Sequence, residues 1–221
     1  TMIKGAFFDS HGALVEKRSV ETRVDRGRDA VLQNLIALIK SLHTAKGQVL
    51  SVGIGVAGVL DPPKEVLLQS PNIKQLEQAP LKKLLNEALQ LPVFLENDAN
   101  AAALGEQWAG AGRELDNFLC ITLGTGIGGG VVINGELLLG HFENAAELGH
   151  TIIVPNGRLC TCGQRGCLEA YASAGNVAKR VAEAIRNGEP SLLAGLVEKG
   201  TYFGCRKVEE AAKEGDACGD D

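Results

Sequence analysis

Residues 150–169 read His150-Thr-Ile-Ile-Val-Pro-Asn-Gly-Arg-Leu-Cys160-Thr-Cys162-Gly-Gln-Arg-Gly-Cys167-Leu-Glu169. One histidine and three cysteines lie within 18 residues of this stretch, and glycines stand where the chain must turn back around a metal ion. A Cys₃His set suits tetrahedral zinc, and a closed set of four ligands is typical of a structural rather than a catalytic zinc. The stretch therefore predicts a zinc site at His150, Cys160, Cys162 and Cys167. The alternative is a group of ordinary reduced cysteines in the core of a cytosolic protein.

Two glutamates flank the predicted zinc site. Glu147 comes three residues before His150, and Glu169 comes two residues after Cys167. A zinc site would hold both carboxylates close together and near a histidine, where they could bind several hydroxyl groups of one ligand. From this stretch alone, a pair of solvated surface glutamates is an equally good interpretation.

A second glycine-rich stretch follows a predicted strand. Residues Phe118-Leu-Cys-Ile-Thr-Leu123 run into Gly124-Thr-Gly126-Ile-Gly128-Gly-Gly130. The spacing matches the dinucleotide motif G-x-G-x-x-G, but that motif needs a helix after the glycines, and here an apolar run leads to the hairpin signal Asn134-Gly135. No Gly-Lys-Ser/Thr ends the stretch, so it is not a Walker A loop either. Such a turn can still direct backbone N–H groups at a phosphate, with Thr125 adding a hydroxyl, and a plain tight hairpin is the alternative.

An aspartate stands where a predicted strand meets a predicted helix. Pro92-Val-Phe-Leu-Glu96 has the pattern of a strand, Asn97-Asp98 follows at once, and residues 99–108 contain good helix formers. The α/β folds bind ligands at the carboxyl ends of strands, which makes Asp98 a candidate functional residue. A helix N-cap is the common role of an aspartate in this position, and the local sequence by itself favours the cap.

The rest of the chain alternates predicted strands and helices, which indicates an α/β fold. The glycines of Gly55-Val-Ala-Gly58 allow close approach of the backbone to another group, and Asn72 lies in a loop, where a turn residue is the alternative interpretation. The predicted strands cover residues 2–8, 13–20, 49–56, 92–96 and 118–123, and the predicted helices cover residues 28–44, 81–88, 99–108, 169–187, 191–197 and 207–213.

Composition limits the classes of function. The chain has 221 residues and a formal net charge of −5, which argues against a nucleic-acid-binding surface. No apolar run is long enough to span a membrane, and no signal peptide opens the sequence. Six cysteines in a chain of this size do not suggest a disulfide framework, so a reducing cytoplasm is the expected compartment.

These motifs together resemble the signature of the ROK family of sugar kinases and sugar-responsive repressors, and among its members bacterial glucokinases look most similar. The resemblance rests on Glu147-Leu-Gly-His150, on Cys160 to Glu169, on Leu95-Glu-Asn-Asp98-Ala-Asn-Ala and on the glycine stretch. It implies an α/β, actin-like ATPase (ribonuclease H-like) fold with two lobes, at residues 1–98 and 99–221. It also implies truncation at both ends, because Thr1 stands where the family's Asp-x-Gly-Gly-Thr phosphate loop would end and relatives continue past Asp221.

The resemblance also assigns roles to residues. Asp98 is implied to be the general base that takes the proton of the sugar hydroxyl, and His150 to bind zinc through one ring nitrogen and the sugar through the other. The implied cofactors are ATP, Mg²⁺ with the nucleotide, and a structural Zn²⁺. The implied sugar-binding residues are Gly58, Asn72, Asn97, Asp98, Gly126, Glu147, His150 and Glu169, and the implied nucleotide-binding residues are Gly124, Thr125, Gly126 and Gly128.

The expected function is ATP-dependent phosphorylation of a hexose, glucose first. The alternatives are a sugar-responsive transcriptional regulator and a kinase for N-acetylmannosamine or fructose. Partners other than the sugar and ATP are expected to be copies of the same chain, in a homodimer or a higher homo-oligomer, and neither nucleic acid nor a membrane. Because the resemblance implies a missing phosphate loop, the 221-residue chain is expected to show little ATP turnover.

Overall fold

The computed structural model describes residues 2–46 and 49–219, with the side chains of residues 43–46 and 219 left aside. Thr1, predicted to end a phosphate loop, lies outside the described residues. The chain divides into two compact units: the first runs up to Cys120 and includes Gly130–Ala145, and the second combines Ile121–Gly129 with the chain from Ala146 onward. The predicted lobe boundary after Asp98 falls inside the first unit, and a division into lobes at that point stays a prediction.

Strands and helices alternate as the sequence predicts for an α/β protein. The strands are β1 (Met2–Phe8), β2 (Leu14–Glu21), β3 (Val52–Val56), β4 (Val59–Leu60), β5 (Leu67–Gln69), β6 (Val93–Asn97), β7 (Phe118–Leu123), β8 (Ile127–Ile133) and β9 (Glu136–Leu137). The helices are α1 (Arg28–Lys46), α2 (Leu81–Leu89), α3 (Asp98–Ala109), α4 (Glu169–Ala172), α5 (Ala174–Arg186), α6 (Ala194–Glu198) and α7 (Cys205–Lys213).

The first unit is built around a parallel pair of strands. Strand β3 pairs with β6 in register from Val52 opposite Val93 to Val56 opposite Asn97. Parallel strands end at the same edge of a sheet, so the pairing brings the end of β3 beside the start of α3. Apolar side chains of α1, α2, strands β3 to β6 and the segment before α2 form the core, namely Val31, Val56, Leu60, Leu67, Leu76, Leu81, Leu85, Val93 and Leu95.

Strand pairing also corrects two predicted boundaries. The strand predicted from Val49 begins at Val52, because the N–H of Val52 donates to the carbonyl of Pro92 and pairing starts there. Strand β2 covers Leu14–Glu21 rather than residues 13–20, since its register with β1 runs out to Glu21. The hairpin predicted at Asn134-Gly135 is confirmed, with φ of 53° and 79° at the two turn residues.

The helix predicted over residues 169–187 is two helices. Ser173 interrupts it in an extended conformation with ψ of 150°, and the N–H of Ala174 donates to the carbonyl of Gly124 at 3.0 Å. The Ser173 side chain is buried, and its Oγ accepts a hydrogen bond from Nδ2 of Asn176 at 2.8 Å. The helical pattern is broken because the chain leaves the helix to bond the glycine-rich turn.

The carboxylate of Asp216 organises the C-terminal helices of the second unit. It accepts hydrogen bonds from the Ser191 hydroxyl at 2.6 Å and from the N–H groups of Leu192 at 2.8 Å and Cys218 at 3.1 Å. These bonds hold the first predicted residues of the 191–197 helix in a turn, so α6 begins only at Ala194. Helices α5, α6 and α7 then pack around Ala178, Val181, Leu193, Phe203, Val208 and Ala211.

Asp216 also makes stability depend on pH. The hydrogen bond from the Ser191 hydroxyl holds the pKa of Asp216 below its ordinary value. Burial acts to raise this pKa, and the N–H groups of Leu192 and Cys218 act to lower it. A carboxyl whose folded pKa lies below its unfolded pKa stabilises the fold above the unfolded value and loses that contribution as the pH falls through the folded value. We expect Asp216→Asn to lower the free energy of unfolding by about 1–3 kcal/mol at pH 7 and by less below about pH 4.

Urea unfolding at several pH values measures this dependence. Glu189→Gln, an exposed carboxylate of the same unit, is the control and should leave the free energy of unfolding within about 0.5 kcal/mol at every pH. A constant difference between Asp216→Asn and the wild type from pH 7 to pH 3 would contradict the assignment.

No helix within residues 2–46 and 49–219 combines the length and the apolar character that a membrane span requires.

Candidate active site and metal-binding cluster

The first unit presents Asp98 at the carboxyl end of β6. Helix α3 is capped by Asn97, whose Oδ1 accepts the N–H groups of Ala99 at 2.9 Å and Asn100 at 3.2 Å. The alternative interpretation of Asp98 as the cap is therefore wrong, because the preceding residue fills that role. The Asp98 side chain is exposed, and its Oδ1 accepts the Ala99 N–H at 3.0 Å. Its second oxygen has no donor among the described residues and is available to a ligand.

Three predicted sugar-binding residues of the first unit lie in connected segments. Nδ2 of Asn97 donates to the carbonyl of Gly58 at 3.1 Å. Gly58 has a φ of 142°, and a Cβ there would lie 2.2 Å from the carbonyl oxygen of Gln69, so only glycine fits. Ser70, the residue after Gln69, is buried, and its hydroxyl accepts the N–H of Asn72 at 3.4 Å. Asn72 itself is exposed.

The glycine-rich turn belongs to the second unit and joins β7 to β8, with no helix after it, as predicted. The N–H of Gly124 donates to the carbonyl of Gly126 at 3.0 Å, and the N–H of Ile127 donates to Oε2 of Glu169 at 2.9 Å. In the part of the chain that the structure describes, the N–H groups of Thr125 and Gly126 have no acceptor, and the Thr125 side chain is exposed. These are the groups that the turn can offer to a phosphate. Of the predicted nucleotide-binding residues, Gly124, Thr125 and Gly126 form the turn and Gly128 lies in β8.

A pair of glycine substitutions tests the packing of this turn. A Cβ at Gly126 would lie 2.5 Å from Oε2 of Glu169, whereas a Cβ at Gly124 meets no atom within 4 Å. We expect Gly126→Ala to displace the Glu169 carboxylate from Ile127 and to lower the free energy of unfolding by about 1–2 kcal/mol. Gly124→Ala, the matched control, should change it by less than about 0.5 kcal/mol. Urea unfolding of both variants decides the point, and equal stabilities would refute the packing argument.

Glu169, the first residue of α4, connects the glycine-rich turn with the cysteine-rich stretch inside the second unit. Its Oε2 accepts the Ile127 N–H, and its Oε1 accepts the hydroxyl of Thr161 at 3.1 Å and lies 3.8 Å from Sγ of Cys160. The carboxylate is therefore held from both sides. Thr161 is a contact that the sequence analysis missed, because a threonine between two cysteines carries no signal of its own.

The predicted metal ligands converge. One ligand atom from each of the four residues lies within 4.8 Å of all the others. Sγ of Cys162 and Sγ of Cys167 are 3.7 Å apart, and Sγ of Cys160 is 3.6 Å from Nδ1 of His150. Tetrahedral zinc with bonds of about 2.3 Å to sulfur and about 2.0–2.1 Å to nitrogen requires separations of about 3.8 Å and about 3.6 Å. The residues present therefore fit a four-coordinate metal ion.

Burial shapes the chemistry of the cluster. Cys160 and Cys167 are buried while Cys162 is exposed, and burial together with the neighbouring thiols raises the pKa of the Cys167 thiol to about 12. A cysteine binds metal as a thiolate, so a metal ion at this place would offset the cost of burying that charge.

His150 turns its two ring nitrogens to different neighbours. Nδ1 faces Cys160, and Nε2 lies 4.0 Å from Oε2 of Glu147. The Glu147 side chain is about half exposed and the His150 side chain about one third exposed, so a ligand can reach both. Within the second unit His150 thus lies between Cys160 and Glu147, and Cys160 also contacts Glu169. The binding of a sugar by Glu147, His150 and Glu169 stays a prediction.

The cysteine-rich stretch is also tied to α5. The guanidinium of Arg158 pairs with Glu183 at 2.7 Å, and the N–H of Arg158 donates to the hydroxyl of Tyr171 at 2.9 Å. The hydrogen bond from Arg158 holds the pKa of Glu183 below its ordinary value. These contacts fix the orientation of the stretch without involving the four candidate ligands.

The features of the fold that position the candidate site are a parallel strand pair whose carboxyl edge carries an exposed aspartate, and a glycine-rich turn that joins β7 to β8. The likeness to solved ROK sugar kinase structures shows that the chain has the α/β, actin-like ATPase fold. The sequence profile of the ROK family matches residues 1–216, and the chain belongs to the ROK family.

Similar proteins include both enzymes and regulators. A glucokinase of Thermotoga maritima is 41% identical over 206 residues, which cover 93% of this chain and 64% of that protein. A ROK family glucokinase from Streptomyces griseus, solved in complex with glucose and AMPPNP, superposes with a TM-score of 0.83 at 36% identity, over 99% of this chain and 70% of that one. A ROK family transcriptional regulator, a homolog of the E. coli MLC protein, also gives a TM-score of 0.83, at 29% identity, over 99% and 55% of the two chains. The chain thus spans 55–70% of the length of these relatives.

Proposed function

We propose that this chain carries the sugar-phosphorylating site of an ATP-dependent hexose kinase, with glucose as the first candidate substrate. The observation that carries the proposal is the exposed Asp98 carboxylate at the end of β6, left available because Asn97 caps the helix. A regulator that only binds sugar has no need of a free carboxylate that can take up a proton, whereas phosphoryl transfer to a hydroxyl does. The relatives of the Thermotoga and Streptomyces glucokinase type support the same choice.

In the proposed reaction, Asp98 acts as the general base. It takes the proton of a sugar hydroxyl while that oxygen forms a bond to the γ-phosphorus of ATP, and the bond from the γ-phosphorus to the bridging oxygen breaks to release ADP. When bound with ATP, Mg²⁺ offsets the negative charge of the phosphates. The N–H groups of Thr125 and Gly126 are the groups of the glycine-rich turn that we assign to phosphate.

The sugar-binding groups are proposed from each unit separately. The first unit supplies Gly58, Asn72 and Asn97 beside the catalytic aspartate. The second supplies Gly126, Glu147, His150 and Glu169. A zinc ion on His150, Cys160, Cys162 and Cys167 would give the second set a rigid base, holding His150 directly and Glu169 through the chain next to it. The zinc is proposed as a structural ion that fixes ligand-binding side chains in place.

A sugar-responsive regulator is the second candidate. The observation that favours it is the likeness to the ROK transcriptional regulator, which equals the likeness to the Streptomyces glucokinase in TM-score. Kinases for N-acetylmannosamine or fructose are the remaining alternatives, because the orientation of one hydroxyl can be read by a single side chain. We further propose action in the cytoplasm, supported by free cysteines in the cluster, and assembly as a homo-oligomer.

An ADP-release assay on the full-length parent protein, with a panel of glucose, fructose, mannose and N-acetylmannosamine, tests the proposal. ADP release that depends on one of these sugars is the expected result, and the sugar with the highest kcat/KM names the substrate. Sugar binding measured by calorimetry without ADP release for any sugar would instead favour the regulator.

A further inference from the structure

Three segments of the first unit meet at a charged cluster beneath the start of α3. Lys64 lies in the turn between β4 and β5, Glu96 is the residue before Asn97 in β6, and Glu143 lies in the loop after β9. Nζ of Lys64 is 2.5 Å from Oε2 of Glu96 and 3.0 Å from Oε2 of Glu143. The three side chains are about one fifth exposed, so the ion pairs are shielded from solvent.

The Glu96 carboxylate connects Lys64 to the start of α3. While Oε2 binds Lys64, Oε1 accepts the N–H of Asn97 at 2.9 Å and Nδ2 of Asn100 at 3.3 Å. Asn97 caps α3, and Asn100 is buried in its first turn. A displacement of the Glu96 carboxylate would therefore disturb contacts on both sides of Asp98, to the backbone of Asn97 and to the side chain of Asn100.

The segment that carries Lys64 is itself rigid. Lys64 has a φ of 53°, and its N–H donates to the carbonyl of Asp61 at 2.7 Å. Oδ1 of Asp61 accepts the N–H groups of Glu65 at 2.7 Å and Val66 at 2.8 Å. The ammonium group is thus presented from a fixed turn. Burial acts to lower the pKa of Lys64, but the hydrogen bonds to the two glutamates outweigh it and hold the pKa above its ordinary value.

We infer that Lys64 is a positioning residue for Asp98. It holds Glu96 in the conformation that braces Asn97 and Asn100, and through Glu143 it fixes the loop after β9 against the same point. The inference rests on the proposed function for its kinetic consequence, but the bracing of the helix start follows from the contacts alone. Removing the ammonium group leaves two shielded carboxylates without their shared cation, and their repulsion is relieved when they move apart or when one of them takes up a proton. Either change weakens the hold of Glu96 on Asn97 and Asn100.

The test compares Lys64→Met with Lys64→Arg, which keeps the charge, and with Lys82→Met, which removes an ion pair to Glu65 in the same turn but leaves the ion pairs of Lys64 in place. Amide hydrogen exchange of Ala99 and Asn100 is measured first. We expect exchange about 10-fold faster or more in Lys64→Met, within about 3-fold of wild type in Lys64→Arg, and unchanged in Lys82→Met. Exchange in the β1–β2 hairpin should not change, because the effect is local.

Kinetics supplies the second measurement. In a wild type that phosphorylates a hexose, Lys64→Met should lower kcat about 10–100-fold while KM for the sugar changes less than about 3-fold, since a misplaced base costs transition-state stabilisation rather than binding. Wild-type exchange rates at Ala99 and Asn100 in Lys64→Met would overturn the inference whatever the turnover. Faster exchange at Ala99 and Asn100 in Lys64→Met, together with a full-length wild type that phosphorylates no sugar, would support the positioning role and refute the proposed function. An equal fall of kcat in Lys82→Met would also overturn the inference.

Discussion

Replacing Asp98 with asparagine is expected to lower hexose phosphorylation by about 10³-fold or more. General base catalysis contributes about 10²–10⁴-fold, and an amide cannot accept the proton of the attacking hydroxyl. The fold should tolerate the change, because the asparagine oxygen can still accept the Ala99 N–H and the cap is made by Asn97. Sugar binding, measured by calorimetry, should change less than about 10-fold, since an amide still bonds hydroxyl groups.

The Asp98 comparison is a ratio of rates and holds even if the absolute turnover of the chain is low. Asp116→Asn, an exposed aspartate of the same unit, is the matched control and should retain wild-type turnover. Turnover in Asp98→Asn within 10-fold of the wild type would remove Asp98 from the role of base. The search would then turn to another carboxylate.

Loss of the metal-binding cluster is expected to have the largest effect on stability. We expect about one zinc per chain in wild-type protein purified with zinc present. The Cys167→Ser variant is expected to lose that zinc, and its midpoint of thermal unfolding is expected to fall by more than about 10 °C. The expected fall is large because Cys167 is fully buried and three other ligands lose their common partner. Removal of the metal from the wild type by a strong chelator should lower its midpoint of thermal unfolding to that of Cys167→Ser.

Cys205→Ser is the control for the cysteine substitution. Cys205 begins α7 in the same unit and lies outside the cluster, so its variant should retain zinc and a midpoint within about 3 °C of the wild type. Metal analysis with inductively coupled plasma spectrometry and a thermal scan provide the two readings. A wild type that binds no zinc, and whose midpoint does not respond to the chelator, would show that the four residues are only packed thiols and a histidine.

The alternation of strands and helices could be read from the sequence because it depends on local patterns. Apolar residues at helical spacing predict α1 and α2, and the Asn134-Gly135 pair predicts the β8–β9 turn. The structure contains all three. Two of the boundaries that were wrong are set by partners distant in sequence. Val52 begins β3 because Pro92 lies opposite, and α4 ends at Ala172 because Ala174 bonds to Gly124.

The candidate metal ligands were also predictable, since four ligand residues within a short stretch must fold back on themselves to be satisfied together. The role of Asp98 at the start of the helix could not be predicted from the sequence. Whether Asn97 or Asp98 caps α3 depends on which side chain the strand end turns toward the first N–H groups of the helix, and both residue types make good caps. In the tertiary structure Asn97 caps α3, and the Asp98 carboxylate is therefore left exposed.

The sequence by itself determined the α/β class, the family, the convergence of His150 with three cysteines and the position of Asp98 at a strand end, because each of these is encoded within a short window. Only the tertiary structure decided that Lys64 and Glu143 meet at Glu96, and that Glu169 bridges Thr161 and Ile127. These contacts join residues 32 to 79 positions apart in the first case and 8 to 42 in the second. No local pattern reports them, since an ion pair or a hydrogen bond across segments exists only once the backbone has placed both partners.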